Sequence, residues 1–251
     1  MMLWVALPVV SAHGLEEHKI VDLTHALDES TIAWPNTRPF HREQTAWGVT
    51  PAGYWYASGD VVTSEHAGTH IDAPVHFAQG QTSVDDIALD SLIGPAVVVD
   101  VRVACAQQSD YRLSVEDLHS WELRYGRIPD GAIVIMYTGW ERFWPDATKY
   151  LGSATPGDAT TLHFPGFSAE AAKFLVRERR VDGIGIDTAS IDHGPSREFS
   201  VHQVINGAGK YGLENIAYLD RLPATGATLI ALPMKIKGGS GGPVRIVAIL
   251  P

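Results

Sequence analysis

Long stretches of this chain are apolar without alternation. Residues 96–103, interrupted only by Asp100 and Arg102, and residues 132–138 are largely apolar, β-branched runs, the pattern of strands buried on both faces. Residues 20–27, 183–187, 216–222, 227–236 and 244–250 read as further strands. A 3.6-residue period predicts helices over 114–125 and 168–180. Ser114 caps the first, with Asp117 three positions later, Leu118 and Trp121 on one face and Gly126 as its stop; Ser168 caps the second. A short helix is expected over 200–208, and Pro129-Asp130-Gly131 reads as a turn. Residues 34–56 carry Pro35, Pro39, Gly48, Pro51 and Gly53 among six aromatics and read as irregular, with a short extended segment over 61–65. Residues 139–166 form a long Pro/Gly-rich aromatic excursion, a place where lids and substrate loops lie. Strands outnumber helices and do not alternate with them. The fold class expected is therefore α/β with a sheet-rich core and a few helices, neither doubly wound nor a barrel.

Composition narrows the classes. The chain has 251 residues, 45% hydrophobic and 19% charged, which fits one ordinary globular domain over 19–251. Net charge is −10 and no basic stripe is present, so a small-molecule partner is expected and a nucleic acid is not. No stretch approaches the ~20 apolar residues of a bilayer span, and no membrane partner is expected. The single cysteine, Cys105, can form neither an intramolecular disulfide nor a Cys-ligated metal cluster, and reads as a buried inert thiol. At the N-terminus an apolar run over 3–10 precedes Ser11-Ala12, yet no Lys or Arg stands before it. For residues 1–18 a signal-peptide remnant and an ordinary N-terminal segment both stay open. Cytoplasmic and periplasmic locations stay open with them.

The chemistry concentrates in His66-Ala-Gly-Thr-His70-Ile-Asp72-Ala-Pro74-Val-His76, three imidazoles and a carboxylate in eleven positions. His70, Asp72 and His76 are spaced by even numbers and share one side of an extended chain. Pro74 disfavours helix at Ala73, so the second half is expected to be extended. His66 and His70 converge either in one helical turn or across a tight turn at Gly68. Both geometries let His66, His70 and Asp72 reach one cation, and deprotonated His and Asp are common N/O donors.

The segment resembles the signature of the bacterial cyclase-like metal-dependent hydrolases, of the kynurenine formamidase and isatin hydrolase type. The resemblance extends through Gly185-Ile-Asp187-Thr188, Ser190-Ile-Asp192, His202, Glu214-Asn215, Leu232-Pro233-Met-Lys235 and Gly242-Pro243-Val244-Arg245. It implies a swivelling β/β/α domain that forms a homodimer or higher homo-oligomer. It implies that His66, His70 and Asp72 are metal ligands, that His202 and Glu214 complete a second metal position with Asp72 bridging, and that His76 is the general base. Alone, His202 would read as a helix-surface histidine and Glu214 as surface charge. Without the resemblance core packing is the readier explanation of any one of the aromatics over 34–56, but Trp34 lies near the site in such proteins and is expected to bind substrate. The cofactor implied is one or two divalent ions, Mn2+ or Zn2+, since an N/O donor set without sulfur suits either. Metal-activated water then attacks an amide carbonyl while His76 takes a proton.

Two other patterns carry no chemistry. Gly238-Gly-Ser240-Gly-Gly242 matches a nucleophile elbow but is followed by Pro243 and a strand, and Gly207-Ala-Gly209-Lys-Tyr-Gly212 matches a dinucleotide motif but follows a helix. Both read as loops. Phe77 would face away from His76 in a strand and is left outside the site, while Asp187 and Thr188 read as structural. The activity expected is hydrolysis of a cyclic or aryl amide. Opening of an isatin-like lactam is favoured, because the 139–166 excursion exceeds what a compact kynurenine formamidase resembling this chain would carry. N-formylkynurenine hydrolysis is the alternative. A catalytically silent metal-binding protein is the reading from another class, and the presence of a base beside five ligand positions argues against it.

Overall fold

A computed structural model describes residues 19–251; the 1–18 segment and its signal-remnant reading lie outside the described residues. In chain order the elements are β1 (Ile20–Asp22), β2 (His41–Val49), β3 (Trp55–Val62), β4 (His70–Asp72), β5 (Ile93–Asp100), α1 (Arg102–Gln107), β6 (Arg112–Leu113), α2 (Val115–Tyr125), β7 (Ile133–Tyr137), α3 (Ala147–Tyr150), β8 (Gly166–Phe167), α4 (Ala169–Glu178), β9 (Gly183–Ile186), α5 (Ser200–Gly207), β10 (Tyr211–Glu214), β11 (Thr228–Pro233) and β12 (Gly241–Ile249). None of the described helices is long and apolar enough to cross a membrane.

The main sheet runs β1-β12-β11-β5-β7-β9-β10-β4, and β4 pairs back onto β12. All of these strands except β1 therefore form a closed ring. The expectation that excluded a barrel is corrected by this pairing: β12 is long enough to hold β1 along residues 247–249 and β4 along residues 241–243 of the same edge. No sequence period records such a closure. β5, β7, β9 and β10 are parallel neighbours, and β4, β11 and β12 run antiparallel to theirs.

The continuous apolar runs are explained by two cores on opposite faces of one sheet. Ala96, Val98, Ile133 and Ile135 point into the ring with Leu213, Leu229 and Ile246. Their neighbours Val97, Val99, Val134 and Met136 point outward, under Leu118 and Trp121 of α2 and Leu175 of α4. Alternate residues thus reach different cores. Cys105 is buried in the outer core, and burial pushes its thiol up to about 12, so it stays protonated.

The helices begin where their caps predict. Ser114 Oγ accepts from Asp117 N, and the Asp117 carboxylate accepts from Ser114 N at 2.8 Å. Ser168 accepts from Ala171 N. The end of α2 is tied to the end of α4 by Arg179, whose Nε and Nη2 donate to the two oxygens of Glu122 at 2.6 and 2.8 Å. The Arg179 guanidinium draws the Glu122 carboxyl down to about 2 from 4.5. A depressed folded value means that the stabilisation is complete above the unfolded value and is lost as pH falls through the folded one. Glu122→Gln is expected to lower stability at pH 7 by about 2 kcal/mol. Urea melts of both proteins should show the gap shrinking between about pH 4.5 and 2.

Three elements differ from expectation. Residues 34–56, read as irregular, include the β2–β3 hairpin, closed where Thr50 N donates to the Tyr54 carbonyl at 2.8 Å. Nearly every hairpin residue is exposed, so pairing left no apolar period to detect. The strand expected over 216–222 is a short 3-10 turn at Leu219–Arg221, and the real strand is β10, just before it. Asn215 and Tyr218, at φ +54° and +55°, break the extension there. The excursion over 139–166 is packed rather than open: Trp140, Tyr150, Leu162 and Phe164 form a third apolar cluster with Ile32 and Ala189.

Candidate metal centre

His70 and Asp72 are the two ends of β4, so both side chains leave the same face of a three-residue strand. In the β4–β10 ladder Glu214 is paired directly with His70, and directly paired residues share a face. That register brings together residues 144 positions apart in number, as 214 minus 70. His202 comes from the first turn of α5. The turn that sets His66 against His70 is at Gly68, with φ +63°, where a Cβ would lie 2.6 Å from Leu27. The tight-turn alternative is thus the one adopted.

Beyond Asp72 the extended expectation is corrected. Ala73 is extended, as the following proline demands, but Pro74–His76 forms one 3-10 turn with Pro74 at its start. A proline's fixed φ suits a first helical position. The turn folds His76 back, and its ring stacks on His66 at 4.0 Å. It also carries Phe77 to the site, 4.6 Å from the His202 ring. Strand geometry would turn Phe77 away from the site; the helical turn reverses that, and only a proline-initiated turn at Pro74 signals it in the sequence.

Each of three imidazoles uses its outer nitrogen to bind the protein. His70 Nδ1 donates to the Gly68 carbonyl at 2.9 Å, and that carbonyl also accepts from Asn215 Nδ2 at 2.8 Å. His202 Nδ1 donates to Asp192 Oδ2 at 2.7 Å. Ser240 Oγ donates to Glu65 at 2.5 Å, which leaves it to accept from His66 Nε2 at 3.0 Å. The inner nitrogens therefore present lone pairs, and they face carboxylates. His66 Nδ1 is 2.6 Å from Asp72 Oδ1, His70 Nε2 is 3.3 Å from both Asp72 Oδ1 and Glu214 Oε2, and His202 Nε2 is 3.2 Å from both Asp72 Oδ2 and Glu214 Oε1. His70 Nε2 is buried without a hydrogen-bond partner.

Lone pairs facing buried carboxylates repel unless positive charge lies between them. Protons or a cation can supply it. Burial alone would lower His70, yet the Asp72 and Glu214 carboxylates, each 3.3 Å from Nε2, outweigh it and hold this group up at about 10. His202 is raised well above its ordinary value for the same balance of causes, with Asp192 contributing most against burial. Asp72, although buried, is held well below the carboxylate range by His202, His66 and His70. The cluster thus demands cationic charge, and its donors fit a divalent ion. Donor atoms of His70, Asp72 and Glu214 lie within 4.8 Å of one another, as do those of His66, Asp72 and His76. His76 differs from the rest: burial lowers it to about 4, so it is neutral throughout the neutral pH range rather than titrating near 6.5.

The structure brings His66, His70, Asp72, His76, His202, Glu214 and Trp34 to one cavity of about 160 Å3. Ile32, Phe77, Ala189 and Phe199 complete its apolar walls. The Trp34 loop is stitched to the histidine segment by the Ala33–Ala67 bridge and by Gly68 N donating to the Ile32 carbonyl at 3.0 Å. Two groups outside the expected set do positioning work. Gly241 of β12 packs where a Cβ would meet the His66 ring at 2.6 Å, so the supposed elbow motif supports His66 instead of offering a nucleophile. The Asp192 carboxylate accepts from His202 Nδ1 and from the backbone N of Val201 and His202 at 3.1 Å each. Partners of this kind hold a ligating histidine in one tautomer. Asp192→Asn is expected to weaken metal affinity about 10- to 100-fold while the circular dichroism stays native; chelator competition measures it.

The Cyclase family model matches residues 21–193. This chain belongs to the Cyclase family. Among Cyclase relatives, the isatin hydrolase of Roseibium aggregatum is 33% identical over 79% of this chain and 77% of its own. The kynurenine formamidase of Salinibacter ruber is 28% identical over 91% of this chain and 96% of its own. The solved isatin hydrolase A of Ralstonia solanacearum superposes with a TM-score of 0.85 at 36% identity, covering 93% of this chain and 92% of that one.

Proposed function

We propose that this protein is a metal-dependent amidohydrolase that opens a neutral aromatic lactam of the isatin type. The observation that carries the choice is the cavity lining. Apart from the histidine–carboxylate cluster it is largely apolar and aromatic, its other polar groups, Thr37, Ser190 and Asn215, are uncharged, and it has no Lys or Arg. N-formylkynurenine brings an amino-acid carboxylate and ammonium, and burying a carboxylate without a cation costs several kcal/mol. A flat, uncharged lactam needs no such partner. The similarity to isatin hydrolases supports the same reading.

His66, His70, Asp72, His202 and Glu214 are the residues proposed to hold one or two divalent ions. Both oxygens of Asp72 are engaged by different imidazoles, which suits a bridging role. An N/O donor set fits Mn2+ or Zn2+. When bound, the ion supplies Lewis acidity, polarising a carbonyl and acidifying water. The protein does the rest. Trp34 and Phe77 hold the ring and keep bulk water out. An imidazole nitrogen of His76 takes a proton from the attacking water and returns one to the departing lactam nitrogen. One C–O bond forms, the C–N bond breaks, and the acid formed gives its remaining water-derived proton to solvent, so that a carboxylate with a free arylamine leaves. Exposed Trp47, Val49, Trp55 and Tyr56 on the β2–β3 hairpin support association into a homo-oligomer, since a two-stranded hairpin is marginal alone.

Metal-loaded protein assayed on isatin and on N-formylkynurenine tests the proposal. Isatin is expected to be preferred by at least ~100-fold in kcat/KM, the cost of an unpaired buried carboxylate. Preference for N-formylkynurenine would move the assignment to a formamidase. Turnover of neither by fully loaded protein would leave the silent metal-binding reading.

A further inference from the structure

Phe199 has a backbone conformation that its residue type opposes. It precedes α5 at φ +49°, ψ +45°, a left-handed region that bulky L-residues rarely adopt and in which glycine or asparagine costs less. It caps nothing with its side chain. The conformation is imposed from both directions. Upstream, Phe199 N donates to Ser196 Oγ at 3.2 Å, and Ser196 Oγ donates to Asp192 Oδ1 at 3.2 Å. Downstream, the Asp192 carboxylate fixes the first N–H groups of α5 and His202. The chain must reverse tightly between these anchors, and residue 199 absorbs the reversal. Strain of this kind persists where surrounding contacts over-determine it, and it gathers at functional sites.

What the phenylalanine contributes there is a ring in the cavity. It meets the Trp34 ring edge-on at 6.0 Å, the Phe77 ring at 5.4 Å and the His202 imidazole at 5.9 Å. It thereby bridges the loop that carries Trp34 and the turn that carries His76 and Phe77. The ring stays partly exposed, so its free surface faces the space that a ligand fills rather than a finished core. We infer that Phe199 is a specificity-determining residue, held in a left-handed backbone so that its ring forms an aryl-binding wall of the site. The inference rests on the proposed aromatic-lactam reading for its substrate, but not for its ligand chemistry, which is any flat uncharged aryl group.

Phe199→Gly and Phe199→Asn separate this from a packing role. Both relieve the backbone and remove the ring. Melting temperature is expected to rise by about 2–4 °C, while the Kd for indole, a flat aryl probe without a scissile amide, rises about 10-fold or more. The KM for isatin should rise with it. Phe199→Tyr, which keeps the ring, should leave the indole Kd within about twofold. A fall in melting temperature with indole Kd unchanged would make Phe199 a packing residue and overturn the inference; so would a rise in melting temperature with Kd unchanged. Failure of the wild type to open isatin would sink the proposed function alone, since the indole titration reads the wall without any turnover.

Discussion

Asp72→Asn is expected to lose metal and hydrolysis together. The substitution keeps the shape of a fully buried side chain and removes the one carboxylate that faces three imidazoles. With Glu214 as the only carboxylate left facing them, the inner nitrogens of His66, His70 and His202 no longer enclose a site that favours a divalent cation. A metal ion contributes several kcal/mol of transition-state stabilisation, so kcat/KM should fall by at least ~10^3-fold. Stability gives an independent readout. Wild-type melting temperature should climb with added Mn2+ or Zn2+ by mass action, and that of Asp72→Asn should stay flat. Plasma elemental analysis after dialysis measures the metal directly. Near-stoichiometric metal in the variant would show that Asp72 is not a ligand.

The second large effect is expected from His76→Gln. Burial keeps this imidazole neutral near pH 7, and no hydrogen bond among the described residues ties it down as Asp192 ties His202. Loss of a positioned proton acceptor costs about 10^2- to 10^4-fold in kcat, with KM little changed and the metal retained. The outcome also decides between two roles. A nitrogen of His76 lies within 4.8 Å of donor atoms from His66 and Asp72, close enough to ligate. Metal loss on substitution would therefore make His76 a ligand, whereas full metal content with collapsed kcat would make it the base.

The predictions rest on features of unequal legibility. The capping of α2 at Ser114 and of α4 at Ser168 could be read locally, because a side-chain oxygen three residues from a free N–H is a local geometry. The buried β5 and β7 could be read as well, since a strand covered on both faces has no polar position. The hairpin β2–β3 could not, because a paired strand exposed on both faces lacks the contrast on which periodicity depends. Phe77 was missed for a different reason. Spacing by twos assumes an extended chain, and a single proline-initiated turn rotates every later side chain to a new face.

Sequence alone determined the chemistry of the site. Three histidines and an aspartate around Gly68 and Pro74 fix which donors are present, while the turn at Gly68 that gathers the first of them was one of two geometries left open. It also placed the buried strands β5 and β7 and, with a single cysteine, excluded an intramolecular disulfide and a Cys-ligated metal cluster. Only the tertiary structure decided that the sheet closes, that Glu214 stands across from His70, and that His202 arrives from α5 with Asp192 behind it. Register between strands more than a hundred positions apart depends on how two cores fill on either side of one sheet, and no local period encodes it. The same holds for Phe199. Its residue type is plain in the sequence, but its left-handed backbone follows from anchors on both sides that must be satisfied at once.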